Sequence, residues 1–232
     1  MNETLLDNIR QGDMKALSRG ISILVNSDQT HFENDSFPVK IPVIGITGPP
    51  GAGKSTLTDK LIAQFIRANE TVAVICVDPS SPFTHGAILG DRIRMSDWYN
   101  HPQVFIRSLA TRGSLGGLPP KAGEIIRLVK QAPFDFIVIE TVGVGQNEVE
   151  IASLSDITIV VLVPESGDDI QFMKAGLMEI GDIFVVNKSD RPGADQFARE
   201  IKMAAKDKVV VKTIANTNVG VGELFSVINN KL

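Results

Sequence analysis

Seven short runs of mostly valine and isoleucine constrain this chain more than any other feature. They lie at residues 41–47, 71–77, 104–108, 134–140, 156–163, 182–187 and 208–214. A strand with one wet face alternates apolar and polar side chains, whereas a nearly unbroken β-branched run suits a strand covered on both faces, as in a parallel sheet. Segments of helical length and mixed charge separate the runs, among them 55–68, 121–131, 170–179, 194–205 and 222–231. Strand and helix in alternation predict a three-layer α/β fold with a mostly parallel sheet. At 232 residues and 43% hydrophobic, the chain is long enough to bury such a core.

A separate piece precedes the first run. In residues 4–26, Leu5, Leu6, Ile9, Met14, Leu17, Ile21 and Leu24 recur at roughly helical spacing around Gly12, which predicts two short helices. A polar stretch, 27–40, then meets Pro38 and reads as a linker. The expected division is a helical segment with its linker at 1–40 and one domain at 41–232. The helical piece either covers part of the domain or serves as a docking element.

Charge and cysteine content remove several functions. Twenty-three Lys and Arg against 27 Asp and Glu give a formal charge of −4, which offers no basic field for nucleic acid or an anionic membrane. No apolar run approaches the roughly 20 residues of a membrane span. The opening, MNETLLDNIRQGD, is acidic where a targeting peptide would be basic. One cysteine, Cys76, forms no internal disulfide and fits a reducing compartment, so the expected location is the cytoplasm.

The first run leads directly into GPPGAGKST, that is Gly48, Pro49, Pro50, Gly51, Ala52, Gly53, Lys54, Ser55 and Thr56. This is the G-x-x-x-x-G-K-[ST] spacing of a phosphate-binding loop, and it stands where the motif requires, between a strand and a helix. Glycines let backbone N–H groups converge on the β-phosphate, Lys54 spans the β- and γ-phosphates, and the Ser55 hydroxyl ligates magnesium.

The sixth run ends in VVNKSD, which carries Asn187, Lys188 and Asp190. Asp190 presents two acceptors. Guanine offers N1–H and N2–H₂ as paired donors, while adenine has an unprotonated N1 and no donor at C2. Two hydrogen bonds to a charged group are worth roughly 3 to 5 kcal/mol, so GTP is expected to exclude ATP. Asn187 would tie the base loop to the phosphate loop, and the Lys188 stem would lie along the purine.

Two more runs end in acids. Asp78 closes the second, expected beside the phosphate-loop strand, and Glu140 closes the fourth at the Walker B position. Gly143 and Gly145 would let the following loop approach the γ-phosphate. Asp91, in GDRIRM, reads equally as a helix N-cap.

Taken in order, GPPGAGKST, VDPSSPFTHGAILGDRIRM, FIRSLATRGSLGG, ETVGVGQNE, PESGDDIQFMKAG and VVNKSD resemble the MeaB/ArgK-type GTPases of the SIMIBI class of P-loop proteins. The resemblance implies a G-protein chaperone that gates cofactor loading and protects an adenosylcobalamin-dependent acyl-CoA mutase such as methylmalonyl-CoA mutase. It places Ser55, Asp78, Asp91 and Glu140 around Mg²⁺, with Lys54, Glu140 and Asp78 as the catalytic set. It puts Ala215, in a Thr-Ile-Ala-Asn segment where the family commonly has Ser-Ala, on guanine O6. It also places Arg107, Arg112 and Gly113 near the switch loops, and makes residues 164–174 a segment that answers to the mutase. Longer members continue into a C-terminal helical arm that forms a homodimer. This chain stops at Leu232, which leaves the oligomeric state open.

Efficient small GTPases orient the attacking water with a glutamine directly after the glycine that follows this strand. Val144 stands there, with Gln146 farther on, so slow intrinsic hydrolysis is expected, accelerated when the mutase orders the switch loops. Two alternatives stand beside this. A metal-insertion GTPase of the hydrogenase or urease maturation type would need soft ligands that His31, His85, His101 and Cys76 do not assemble. A transport-associated nucleotidase or kinase is opposed by Asp190.

Overall fold

The structure is a computed structural model that describes residues 3–27, 32, 40–78, 95–111, 118–119, 121–141, 147–164 and 176–232, with the side chains of 147–149 left aside. All seven apolar runs form strands: β1 (Val43–Thr47), β2 (Val72–Asp78), β3 (Val104–Ala110), β4 (Phe136–Glu140), β5 (Ile157–Leu162), β6 (Ile183–Val186) and β7 (Val209–Lys212). They make one sheet in the order β3-β2-β4-β1-β5-β6-β7, parallel at every pairing. Each of β1, β2, β5 and β6 is buried along its whole length, because helices cover both faces.

The helices are α1 (Glu3–Arg10), α2 (Met14–Asn26), α3 (Lys54–Arg67), α4 (Ala122–Val129), α5 (Asn147–Leu154), α6 (Ala194–Ala204) and α7 (Val221–Lys231). On one face, α3 and α7 pack Leu61, Phe65, Leu224 and Ile228 against Ile44, Val74, Val138 and Val185. Phe65 joins the two helices through an edge-on contact with Phe225, ring centroids 5.2 Å apart. On the other face, α1, α2, α4 and α5 cover β1 to β4, while α6 covers β5 and β6.

The N-terminal helices are a built-in layer of this core. Asp13 caps α2 by accepting from the amides of Lys15 at 2.8 Å and Ala16 at 3.1 Å. Leu17, Ile21 and Leu24 are then buried in one cluster with Ala73, Ile75 and Ile137 of the sheet. Polar contacts fasten the same layer: Arg10 Nε donates to Gln131 Oε1 at 3.1 Å, and Lys121 Nζ donates to the Ser27 carbonyl.

One expectation needs correction. β4 stands between β1 and β2, so Asp78 does not follow the strand beside the phosphate loop; a crossover inserts β4 there. Arg107 lies in mid-β3 on the face with Phe105 and Leu109, where its Nη2 donates to Ser22 Oγ of α2 at 2.9 Å. Strand alternation turns it toward the N-terminal helices. The helix α5 carries no amphipathic signal in its sequence, because its apolar positions do not repeat on one face. Asp91, Gly143, Arg112, Gly113 and residues 165–174 of the expected mutase-responsive segment lie outside the described residues.

Candidate guanine-nucleotide site

Strand β1 delivers the phosphate loop to the C-terminal edge of the sheet, and α3 starts at Lys54. Gly48 has φ +138°, and a Cβ there would run into the Val161 carbonyl of β5. Gly53 has φ +90°, and a Cβ there would meet Asn187 Nδ2. Only glycine lets the loop pass this close to its neighbours. The start of α3 directly follows the loop, and a helix N-terminus in that position favours an anion.

Lys54 is 6% exposed, and its ammonium donates to the carbonyls of Gly48 at 2.8 Å and Pro49 at 2.9 Å. The buried Ser55 Oγ donates to Glu140 Oε1 at 2.6 Å, which joins the start of α3 to the end of β4. Cys76 is in register with Glu140, and Asp78 stands two residues farther along β2 on the same face. Both carboxylates are 2% exposed.

This donor set fits magnesium. A hydroxyl and two carboxylates are hard oxygen ligands, and Mg²⁺ usually takes one or two of them with waters and phosphate oxygens rather than a complete protein cage. No group of three or more His, Cys, Asp or Glu that could hold a metal ion occurs among the described residues. A cavity of about 530 Å³ opens over Lys54, Ser55, Glu140 and Thr141.

A second cavity of about 220 Å³ adjoins it, lined by Asn187, Lys188, Asp190 and Ala215 among others. Asn187 is buried and makes three side-chain hydrogen bonds. Its Nδ2 donates to the Ala52 carbonyl at 2.8 Å, and its Oδ1 accepts from Thr213 Oγ1 at 3.0 Å and from the Ala215 amide at 3.1 Å. One side chain thus straps together the phosphate loop, the end of β6 and the turn after β7. Lys188 has φ +55°, and its ammonium donates to the Gly51 carbonyl at 2.7 Å, so its stem bridges the second cavity and the phosphate loop. The Ala215 N–H, aimed at guanine O6 by the resemblance, donates instead to Asn187 in this structure. The role of the Thr213 hydroxyl had no sequence signal, because it acts only through the orientation of Asn187.

A phosphate loop between the first strand of a parallel sheet and the helix that follows it, an acid at the end of the adjacent strand and an Asn-Lys-x-Asp strap define a P-loop GTPase. The sequence profile described as methylmalonyl Co-A mutase-associated GTPase MeaB matches residues 39–231, and the chain belongs to that family. A relative from Pyrococcus abyssi with a GTPase designation is 46% identical over 240 residues, 97% of this chain and 74% of its own length. GTPase ArgK of Escherichia coli is 40% identical over 190 residues, 78% of this chain and 57% of ArgK. The fused isobutyryl-CoA mutase of Cupriavidus metallidurans is 38% identical over 206 residues, 85% of this chain and 19% of that protein. Among solved structures, an LAO/AO transport system kinase superposes with a TM-score of 0.71 at 27% identity, over 100% of this chain and 76% of that one. No helix among the described residues is long and apolar enough to cross a membrane.

Proposed function

We propose that this GTPase hydrolyses GTP to GDP and phosphate with Mg²⁺ in the cytoplasm, as a G-protein chaperone that loads and protects an adenosylcobalamin-dependent acyl-CoA mutase. The observation that carries the reading is the Ser55–Glu140 hydrogen bond at the floor of a cavity continuous with the Asn187 strap, in a chain of the MeaB family. The mutase assignment draws on the family description and on the relative that carries a similar segment within a mutase.

In this reading, residues 41–232 form the GTPase domain and 1–40 its helical N-terminal segment. The amides of Gly51 to Ser55 cradle the β-phosphate. Lys54 leaves the loop carbonyls for the β- and γ-oxygens, and Asp190 accepts from guanine N1–H and N2–H₂. Ser55, Asp78, Asp91 and Glu140 would hold magnesium, which neutralises charge on the phosphates. Gly143 would close toward the γ-phosphate. No glutamine follows it directly, so unassisted turnover is slow and rises when the mutase orders the adjoining loops.

The test is GTP turnover with and without a purified adenosylcobalamin-dependent acyl-CoA mutase, in Mg²⁺ or EDTA, with complex formation followed by size-exclusion chromatography. Magnesium-dependent turnover stimulated by a co-eluting mutase is expected. GTP turnover with neither stimulation nor a complex would remove the chaperone assignment and leave the hydrolase.

A further inference from the structure

The phosphate cavity and the base cavity share four lining residues, Gly53, Thr56, Lys188 and Asn216. A nucleotide that fills both must pass its ribose across that junction, because the sugar is the covalent link between the two parts. Resting on the guanine-nucleotide reading above, we propose that Asn216 recognises the ribose hydroxyls and makes the site selective for ribonucleotides over 2′-deoxyribonucleotides.

The other three shared residues are poorly suited to that task. Gly53 has no side chain, and the Lys188 ammonium is held at the Gly51 carbonyl. Thr56 is half-buried in the first turn of α3. Asn216 is exposed, and its carboxamide makes no hydrogen bond among the described residues. An amide offers two donors and an acceptor, which matches vicinal hydroxyls that each donate and accept.

The backbone under Asn216 is held in place. It is the middle residue of the turn Ala215–Thr217, whose first amide is fixed on Asn187 Oδ1. The Asn218 amide donates to the Ala215 carbonyl at 3.1 Å, and an antiparallel bridge joins Ile214 to Val219. The side chain is therefore presented from a rigid turn, which lowers the ordering cost of a single hydrogen bond.

Binding of GTP and 2′-deoxy-GTP to the intact chain and to Asn216→Ala tests this. The intact chain is expected to prefer GTP by about three- to tenfold, the worth of one net hydrogen bond. Asn216→Ala is expected to bring the ratio close to one by weakening GTP more than 2′-deoxy-GTP, which lacks only the 2′-hydroxyl. An equal loss for both nucleotides, or an unchanged ratio, overturns the assignment of Asn216. Failure of the intact chain to bind either nucleotide overturns the guanine-nucleotide reading itself.

Discussion

Asp190 is exposed and lines the second cavity, so under the proposed function its effect on affinity would come from pairing with the base rather than from holding the fold. Asp190→Asn replaces one acceptor by a donor, which suits the carbonyl of xanthine and opposes the amino group of guanine. GTP affinity is expected to fall on the order of a hundredfold while XTP affinity rises, checked by titrating both nucleotides. Glu70 gives a different single-residue test at the opposite edge of the sheet. Burial, and then the negative charge of Asp135, raise its pKa above the usual 4.5. The folded chain thus keeps this proton to higher pH than the unfolded chain. Stability falls as pH rises from near 4.5 through the folded pKa, and the deficit persists at neutral pH. Glu70→Gln is expected to raise Tm at pH 7 and to change it little at pH 4, measured by thermal melts at both. At this scale the motif residues were legible because phosphate and guanine chemistry dictates both residue type and spacing. Thr213 and Asn216 were not, since one works through another side chain and the other through where a turn places it.

The helices α1 and α2 bury Ile9, Leu17, Ile21 and Leu24 in the same cluster as β2 and β4. Leu17→Ala is expected to cost about 2 to 5 kcal/mol, the range for deleting a fully buried leucine. It should shift one cooperative denaturation curve rather than split it, checked by urea titration followed by far-UV circular dichroism and by Trp98 fluorescence. Trp98 is a useful second probe because its Nε1 donates to Asp59 on α3 at 2.7 Å, far from α2 in the sequence. The strands were legible because covering a strand on both faces leaves an unmistakable run of apolar residues. Their neighbours were not: nothing in the runs says that β4 enters between β1 and β2. That insertion is what brings Glu140 beside Ser55 and leaves Asp78 one strand farther out. The helix α5 was not legible because packing, rather than an apolar stripe, specifies it.

Over the whole molecule, the two cavities draw on the loop after β1, the end of β4, the strap after β6 and the turn after β7. A ligand that grips all four binds the folded chain and has no counterpart site in the unfolded one. GTP or GDP at a hundred times its Kd is therefore expected to add about 2.7 kcal/mol of stability, a Tm rise of roughly 5 to 10 °C for a chain of this size. Differential scanning fluorimetry against nucleotide concentration checks this, and an ATP series should show no comparable shift. The three-layer architecture was legible from alternation alone, whereas the inclusion of the N-terminal helices in the main core depended on how their apolar faces met the sheet.

The Asn187 strap has a consequence for synthesis on the ribosome. Of its three partners, Ala52 lies far along the chain from Thr213 and Ala215, which are translated long after the phosphate loop has emerged. A nascent chain ending between β6 and β7 already carries GPPGAGKST and NKSD, yet lacks the donors that fix the strap. Under the proposed function, guanine selectivity is therefore expected only in chains that have completed β7 and its turn.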